Sequence, residues 1–153
     1  MGGRYRRHAA ESFSRLVVTA SFIDSSVLID HLRGTPTPQV IELRQRLGVS
    51  ELVIGDLVLM EVLQGLRHPD AFRAVDQVLG SFPCADLVGR RRARAGALAY
   101  HQLRRRGVTP RSSIDVLIAC FCVEANLELL SSDRDHRLMV PILGLRLWEP
   151  PLN

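Results

Sequence analysis

The chain contains no lysine; all 20 of its basic residues are arginine. That absence excludes chemistry. A Walker phosphate loop, a Schiff base and the phosphoryl sites that set a lysine beside an aspartate all need the missing ammonium. Aromatic residues make up only 5% of the 153 residues, so no stacking platform for reading single-stranded bases is visible. Cysteine is scarce as well. Cys84, Cys120 and Cys122 are odd in number, lack ligand spacing and read as core filler, with no sign of an oxidising compartment. No apolar window reaches membrane-spanning length. Leu16 to Ile23 is too short and too polar for a secretory signal, so a cytoplasmic protein with no membrane partner is expected.

A hydrophobic fraction of 46%, a charged fraction of 24% and a net charge of +4 describe an ordinary, mildly basic globular chain. Its length suits a single domain. Residues 1–15, with Arg4, Arg6 and Arg7, read as a basic and poorly ordered extension; residues 16–153 read as the folded domain.

Strand-like and helix-like segments alternate through that domain. Leu16 to Asp24 predicts a first strand, and Ser25 or Ser26 can cap a helix running to Leu32. Thr37-Pro38 restarts a helix with Val40, Ile41, Leu43 and Leu47 on one face. Glu51 to Gly55 is a second strand. Asp56 is placed to cap Leu57 to Leu66, which is apolar nearly all round and so expected to be largely buried. A helix from His68 to Leu79 and a short strand within Phe82 to Val88 follow. Gly89 to Arg106 predicts a long basic helix with Ala95, Leu98, Ala99 and Leu103 inside. Ser112 or Ser113 starts an apolar helix to Ala125, Leu127 to Ser131 is another strand, and a last strand lies around Leu145 to Trp148. The alternation predicts an α/β fold: a small, mostly parallel sheet between helical layers.

Four carboxylates stand where a carboxylate is unexpected or aimed at one edge. Asp24 ends the first strand, Glu61 lies inside an apolar helix, Asp115 is in the first turn of another, and Asp133 follows a late strand. Each has an ordinary explanation. Asp24 suits a turn, Ser112-x-x-Asp115 suits a capping box, and Asp133 with Asp135 suits a solvated turn. Together they say more, because strand ends and the next helix N-termini share the C-terminal edge of a parallel sheet. Converging carboxylates repel one another unless a cation neutralises them. Hard oxygen donors favour Mg²⁺ or Mn²⁺ over zinc, and such centres perform phosphoryl chemistry.

Asp24-Ser25-Ser26 after a strand, Glu61 in an apolar helix, Asp115 in SSIDVLIAC and Ser131-x-Asp133-x-Asp135 after LELL form an ordered set. In order and spacing, from Phe22 onward, this set resembles the PIN-domain family, most of all its VapC-type toxin ribonucleases. The resemblance implies a PIN-like three-layer α/β/α sandwich and a Mg²⁺- or Mn²⁺-dependent endoribonuclease acting on RNA. It also implies a cognate antitoxin partner and a homodimer. By position, Asp24, Glu61, Asp115 and Asp133 become the acidic quartet, with Ser25 and Ser131 as supporting hydroxyls. One departure stands out: His136 follows Asp135 where the family often has phenylalanine. The fourth acid is therefore Asp133 or Asp135, and Asp133 is preferred as nearer the strand end.

The other histidines, His8, His31, His68 and His101, are scattered, and no pair is spaced for acid–base work. Surface roles are expected for the histidines, with His136 the one near the acids. Arg90, Arg91, Arg94, Arg104 and Arg105 place positive charge along one helix and are RNA-contact candidates. A solvated arginine face explains them equally well. The rival functional reading is a catalytically inactive PIN-like or basic RNA-binding module.

Overall fold

The computed structural model describes residues 20–152, so the proposed extension over residues 1–15 and the first part of the predicted strand lie outside the described residues. Five strands form one sheet in the order β3-β2-β1-β4-β5, with every neighbouring pair parallel. They are β1 (Ser21–Ile23), β2 (Leu52–Gly55), β3 (Cys84–Ala85), β4 (Glu128–Leu130) and β5 (Arg146–Leu147). Seven helices connect them among the described residues: α1 (Ser25–Leu32), α2 (Pro38–Arg46), α3 (Asp56–Gln64), α4 (Pro69–Leu79), α5 (Arg90–Arg105), α6 (Ser113–Ala125) and α7 (Arg134–Leu143). Helices α5, α6 and α7 pack on one another; α1 packs on α2 and α3, and α3 on α4. The result is the α/β/α sandwich that the alternation predicts.

The central strands are apolar on both faces, as a parallel sheet covered twice requires. Phe22, Ile23, Val53, Leu129 and Leu130 are wholly buried. Phe22 meets Phe121 of α6 in a tilted ring pair with centroids 5.6 Å apart.

The strand order contains a switch point. From β1 the chain moves to β2 and β3 on one side, then crosses to β4 and β5 on the other. Strands β1 and β4 are thus neighbours, and the crevice beyond their C-terminal ends is where such sheets place ligand sites. The register pairs Ile23 with Leu130, and the Asp24 amide continues the ladder to the Leu130 carbonyl at 3.0 Å. Asp24 and Ser131 therefore leave the sheet side by side.

Several local expectations change. The N-cap of α1 is Asp24, whose carboxylate accepts from the Ser26 amide at 3.2 Å, so neither serine is the cap. A carboxylate at that position satisfies one of the helix's open amides as well as a serine does. Gly55 is the N-cap of α3, while Asp56 accepts from the Leu57 and Leu87 amides at 2.8 and 3.1 Å, tying α3 to the exit of β3. Helix α3 is not largely buried. Only Val58 and Val62 are fully covered, and Met60 is 48% exposed, because α3 meets neighbours along a single stripe. Similarly, Gly96, Ala99 and Leu103 form the inner stripe of α5, whereas Leu98 and Ala95 face out. Ile41 of α2 and Leu47, its C-cap, are also exposed.

Candidate metal centre

Asp24 is almost wholly buried at the end of β1. Its Oδ2 accepts from Ser26 Oγ at 2.5 Å and from Ser131 Oγ at 3.1 Å, besides the Ser26 amide. Its Oδ1 is buried and has no hydrogen-bond partner. A carboxylate held by three donors on one oxygen while the other is left open is oriented for a ligand, since burying a bare carboxylate oxygen is costly.

Asp133 repeats this design one strand over. It caps α7 through Oδ1, which accepts from the Asp135 amide at 2.9 Å. The Ser131 hydroxyl accepts from the Asp133 amide at 3.1 Å, and the Ser26 hydroxyl accepts from the Ser132 amide at the same distance. The turns after β1 and β4 are thereby laced together by Ser26 and Ser131.

Asp115 enters from α6, whose N-cap is Ser112 accepting from the Ile114 amide at 3.1 Å. Glu61 comes from α3 and accepts from Ser25 Oγ at 2.7 Å. The two serines divide their work: Ser26 orients Asp24, and Ser25 orients Glu61. Burial pushes the Asp115 carboxyl up to about 6; His136 opposes that rise, and Asp24, Asp133 and Glu61 add to it by charge repulsion. Asp24, Asp133 and Glu61 are thus all close enough to act on Asp115. Neutralising several carboxylates in one place is what a divalent cation does.

Two overlapping groups offer ligand atoms within 4.8 Å of one another: Asp24, Asp115 and His136, and Asp115, Asp133 and Asp135. Asp115 belongs to both. Glu61 belongs to neither. The donor set and the open Asp24 Oδ1 fit a divalent metal ion.

His136 is a correction. It is fully buried, with Nδ1 2.8 Å from Ser131 Oγ and Nε2 buried without a partner. Its place in the first turn of α7 turns it under the strand end, so a surface role is ruled out. Arg111, unremarked in its turn, also belongs to the site. Its amide and Nε donate to Asp135 Oδ2 at 3.0 and 3.3 Å, and its Nη2 donates to Asp133 Oδ1 at 3.1 Å. The Arg111 amide is the first reason the Asp135 carboxyl titrates below its ordinary value, against the opposing effect of burial. The sequence signal for Arg111 was weak: a lone arginine four residues before Asp115. For His136 it was the break in the Asp-Phe pattern.

Arg90, Arg91, Arg94, Arg104 and Arg105 are exposed on α5. Arg91 pairs with Glu124 of α6, and Arg92 lies 5.0 Å over the Phe121 ring. Arg104 and Arg105 make no ion pair among the described residues.

Comparison with known proteins identifies the family and the fold. The PIN domain family model matches residues 21–139. VapC ribonuclease Mb1587 of Mycobacterium bovis is 25% identical over 126 residues, covering 81% of this chain and 94% of that protein. Ribonuclease VapC19 of Mycobacterium tuberculosis is 29% identical over 123 residues, covering 79% and 94%. Among solved structures, VapBC2 from Rickettsia felis, bound to a DNA fragment from its promoter, superposes with a TM-score of 0.67 at 16% identity. That match covers 85% of this chain and 99% of the other. DNA-bound VapBC from Salmonella typhimurium gives a TM-score of 0.64 at 21% identity, covering 86% and 98%. With its sheet order, its acidic strand ends and a family match spanning most of its length, this chain belongs to the PIN domain family.

Proposed function

We propose that the protein is a divalent-metal-dependent endoribonuclease, the toxin of a VapBC-type toxin–antitoxin pair. The observation that carries the reading is the convergence of Asp24, Glu61 and Asp133 around Asp115, with the buried Asp24 Oδ1 left open. Relatives named as VapC ribonucleases, matched along nearly their whole length, support the substrate class.

Asp24, Asp115 and Asp133 would hold Mg²⁺ or Mn²⁺. A bound ion supplies Lewis-acid stabilisation of the charge that develops on the scissile phosphate, and acidifies water for the attack. The residues do the rest. Ser26 and Ser131 fix the direction of Asp24, and Ser25 orients Glu61, which would accept the proton of the attacking water. Asp135 positions the turn through Arg111 and is the weaker candidate for a ligand. The exposed arginines of α5 would follow the RNA backbone. VapBC complexes among the structural neighbours support an antitoxin as partner; a homodimer in the cytoplasm completes the proposal.

The test is cleavage of total RNA by the purified chain with Mg²⁺ or Mn²⁺, with EDTA, and with Asp115→Asn. Cleavage confined to the metal-loaded parent protein supports the reading. RNA binding without turnover under any metal would identify an inactive RNA-binding module instead.

A further inference from the structure

We propose that His136 Nε2 is a metal ligand alongside Asp24 Oδ1 and Asp115, giving this centre a nitrogen donor that favours first-row transition ions such as Mn²⁺ over Mg²⁺. The proposal rests on the reading of the cluster as a divalent-cation centre and specifies its chemistry.

The hydrogen bonds favour one tautomer of the neutral ring. Ser131 has one hydroxyl proton, and it is donated to Asp24 Oδ2 at 3.1 Å. Ser26 likewise spends its proton on Asp24 Oδ2 at 2.5 Å. With its proton on Asp24, Ser131 Oγ, 2.8 Å from His136 Nδ1, accepts there. Nδ1 carries the hydrogen, and Nε2 of the neutral ring presents a lone pair. That arrangement is the usual support of a ligating histidine, whose second ring nitrogen donates to a neighbour that fixes its orientation.

Nε2 has nowhere else to go. The ring is 0% exposed, and Nε2 has no hydrogen-bond partner. The Asp24 oxygen that is also buried and unpartnered is Oδ1. One ring nitrogen of His136 and one carboxylate oxygen each of Asp24 and Asp115 lie within 4.8 Å of one another, a span that one ion bridges. Two orphaned atoms on the same cluster, one oxygen and one nitrogen, are satisfied together by a cation. A bridging hydrogen-bonded water is the competing explanation. Imidazole shifts selectivity toward transition ions, whereas an all-oxygen set suits Mg²⁺.

The experiment is pulsed electron paramagnetic resonance on the full chain, stripped with chelator and reloaded with Mn²⁺. The expected result is ¹⁴N modulation typical of a coordinated imidazole, lost when the histidines alone are labelled with ¹⁵N and absent from His136→Phe. His136→Phe should also weaken Mn²⁺ binding by about tenfold or more, with a much smaller change for Mg²⁺. Asp115→Asn identifies which bound Mn²⁺ belongs to the centre. Mn²⁺ bound in an Asp115-dependent way without histidine nitrogen coupling overturns the role of His136 and leaves the cation centre standing. No Asp115-dependent Mn²⁺ binding overturns both. If His136→Phe does not fold, the labelled and unlabelled parent spectra decide alone.

Discussion

Arg111 grips Asp135 twice, with its amide at 3.0 Å and its Nε at 3.3 Å, both on Oδ2. This contact joins the loop before α6, which carries Asp115, to the first turn of α7, which follows Asp133. An arginine supplied by the chain itself thus neutralises the outer acids of the cluster. Its exposed guanidinium also donates to Asp133 Oδ1 at 3.1 Å, where it would compete with an incoming cation.

Arg111→Ala should therefore have opposite effects on two properties. The Asp135 carboxyl is held below its ordinary value by Arg111. A depressed carboxyl stabilises the fold above its unfolded value, and that contribution disappears as pH falls through the folded one. The Arg111 amide, first cause of that depression, remains in the variant, so only the smaller guanidinium share is lost. The variant should melt slightly lower near pH 7, and the difference should shrink as pH falls below about 4. Divalent-ion affinity should rise severalfold, because the competing cation is gone. Thermal melts across pH and Mn²⁺ titration read the two effects. Weaker ion binding in the variant would show that Arg111 organises the acids rather than competing for them.

Asp24, Asp115 and Asp133 were legible because their contexts are local: a strand end, a first helical turn, a strand end again. In a parallel sheet these fall on one edge whatever the side chains do. The ordinary and the functional explanations of Asp24 and Asp133 also turn out to be compatible, since each caps a helix with one oxygen. What was not legible depends on contacts between distant segments. Ser131 reaches Asp24 across 107 positions, and Arg111 reaches Asp135 across 24. No periodicity encodes such pairs. Helix α3 fails for a related reason: an apolar composition says that a helix can be buried, while only the neighbouring elements decide how much of it is.

Gly55 ends β2 where Leu87 crosses it. A Cβ there would fall 2.4 Å from Leu87 Cδ1, and Leu87 is wholly buried. Gly55→Ala should overpack this junction and destabilise the protein by about 1–3 kcal/mol. Urea denaturation checks the value. Leu87→Ala combined with Gly55→Ala should recover part of the loss caused by the glycine substitution; a fully additive double variant would place the strain elsewhere.

Arg91 is paired with Glu124, whereas Arg104 and Arg105 make no ion pair among the described residues and stand at the other end of α5. If this face follows RNA, the Arg104→Glu, Arg105→Glu protein should bind a non-cleavable RNA about tenfold or more weakly at low salt, with a shallower salt dependence. Binding measured by fluorescence anisotropy over a salt series decides. Parallel curves for parent and variant would return this end of the helix to plain solvation.

Asp115 gives the centre a pH signature that needs no RNA. Burial lifts its carboxyl from the ordinary 3.8 to about 6, with the neighbouring acids adding to the effect. Between those values the unfolded chain has lost this proton and the folded chain retains it. Stability of the metal-free protein therefore falls as pH rises from about 4 to about 6, the reverse of the usual carboxylate case. Asp115→Asn removes the titrating group and should flatten that part of the curve. In EDTA the variant should melt about 2–4 °C above the parent protein at pH 7, after allowance for solvent screening, and level with it at pH 4. Adding Mn²⁺ should reverse the order at pH 7, because the parent protein gains the binding energy of an ion that the variant holds poorly. A parent protein and variant that track each other at every pH, with and without Mn²⁺, would mean that Asp115 neither crowds the other acids nor binds the ion. The crossing of the two curves on metal addition separates a carboxylate strained for a cation from one that is merely buried.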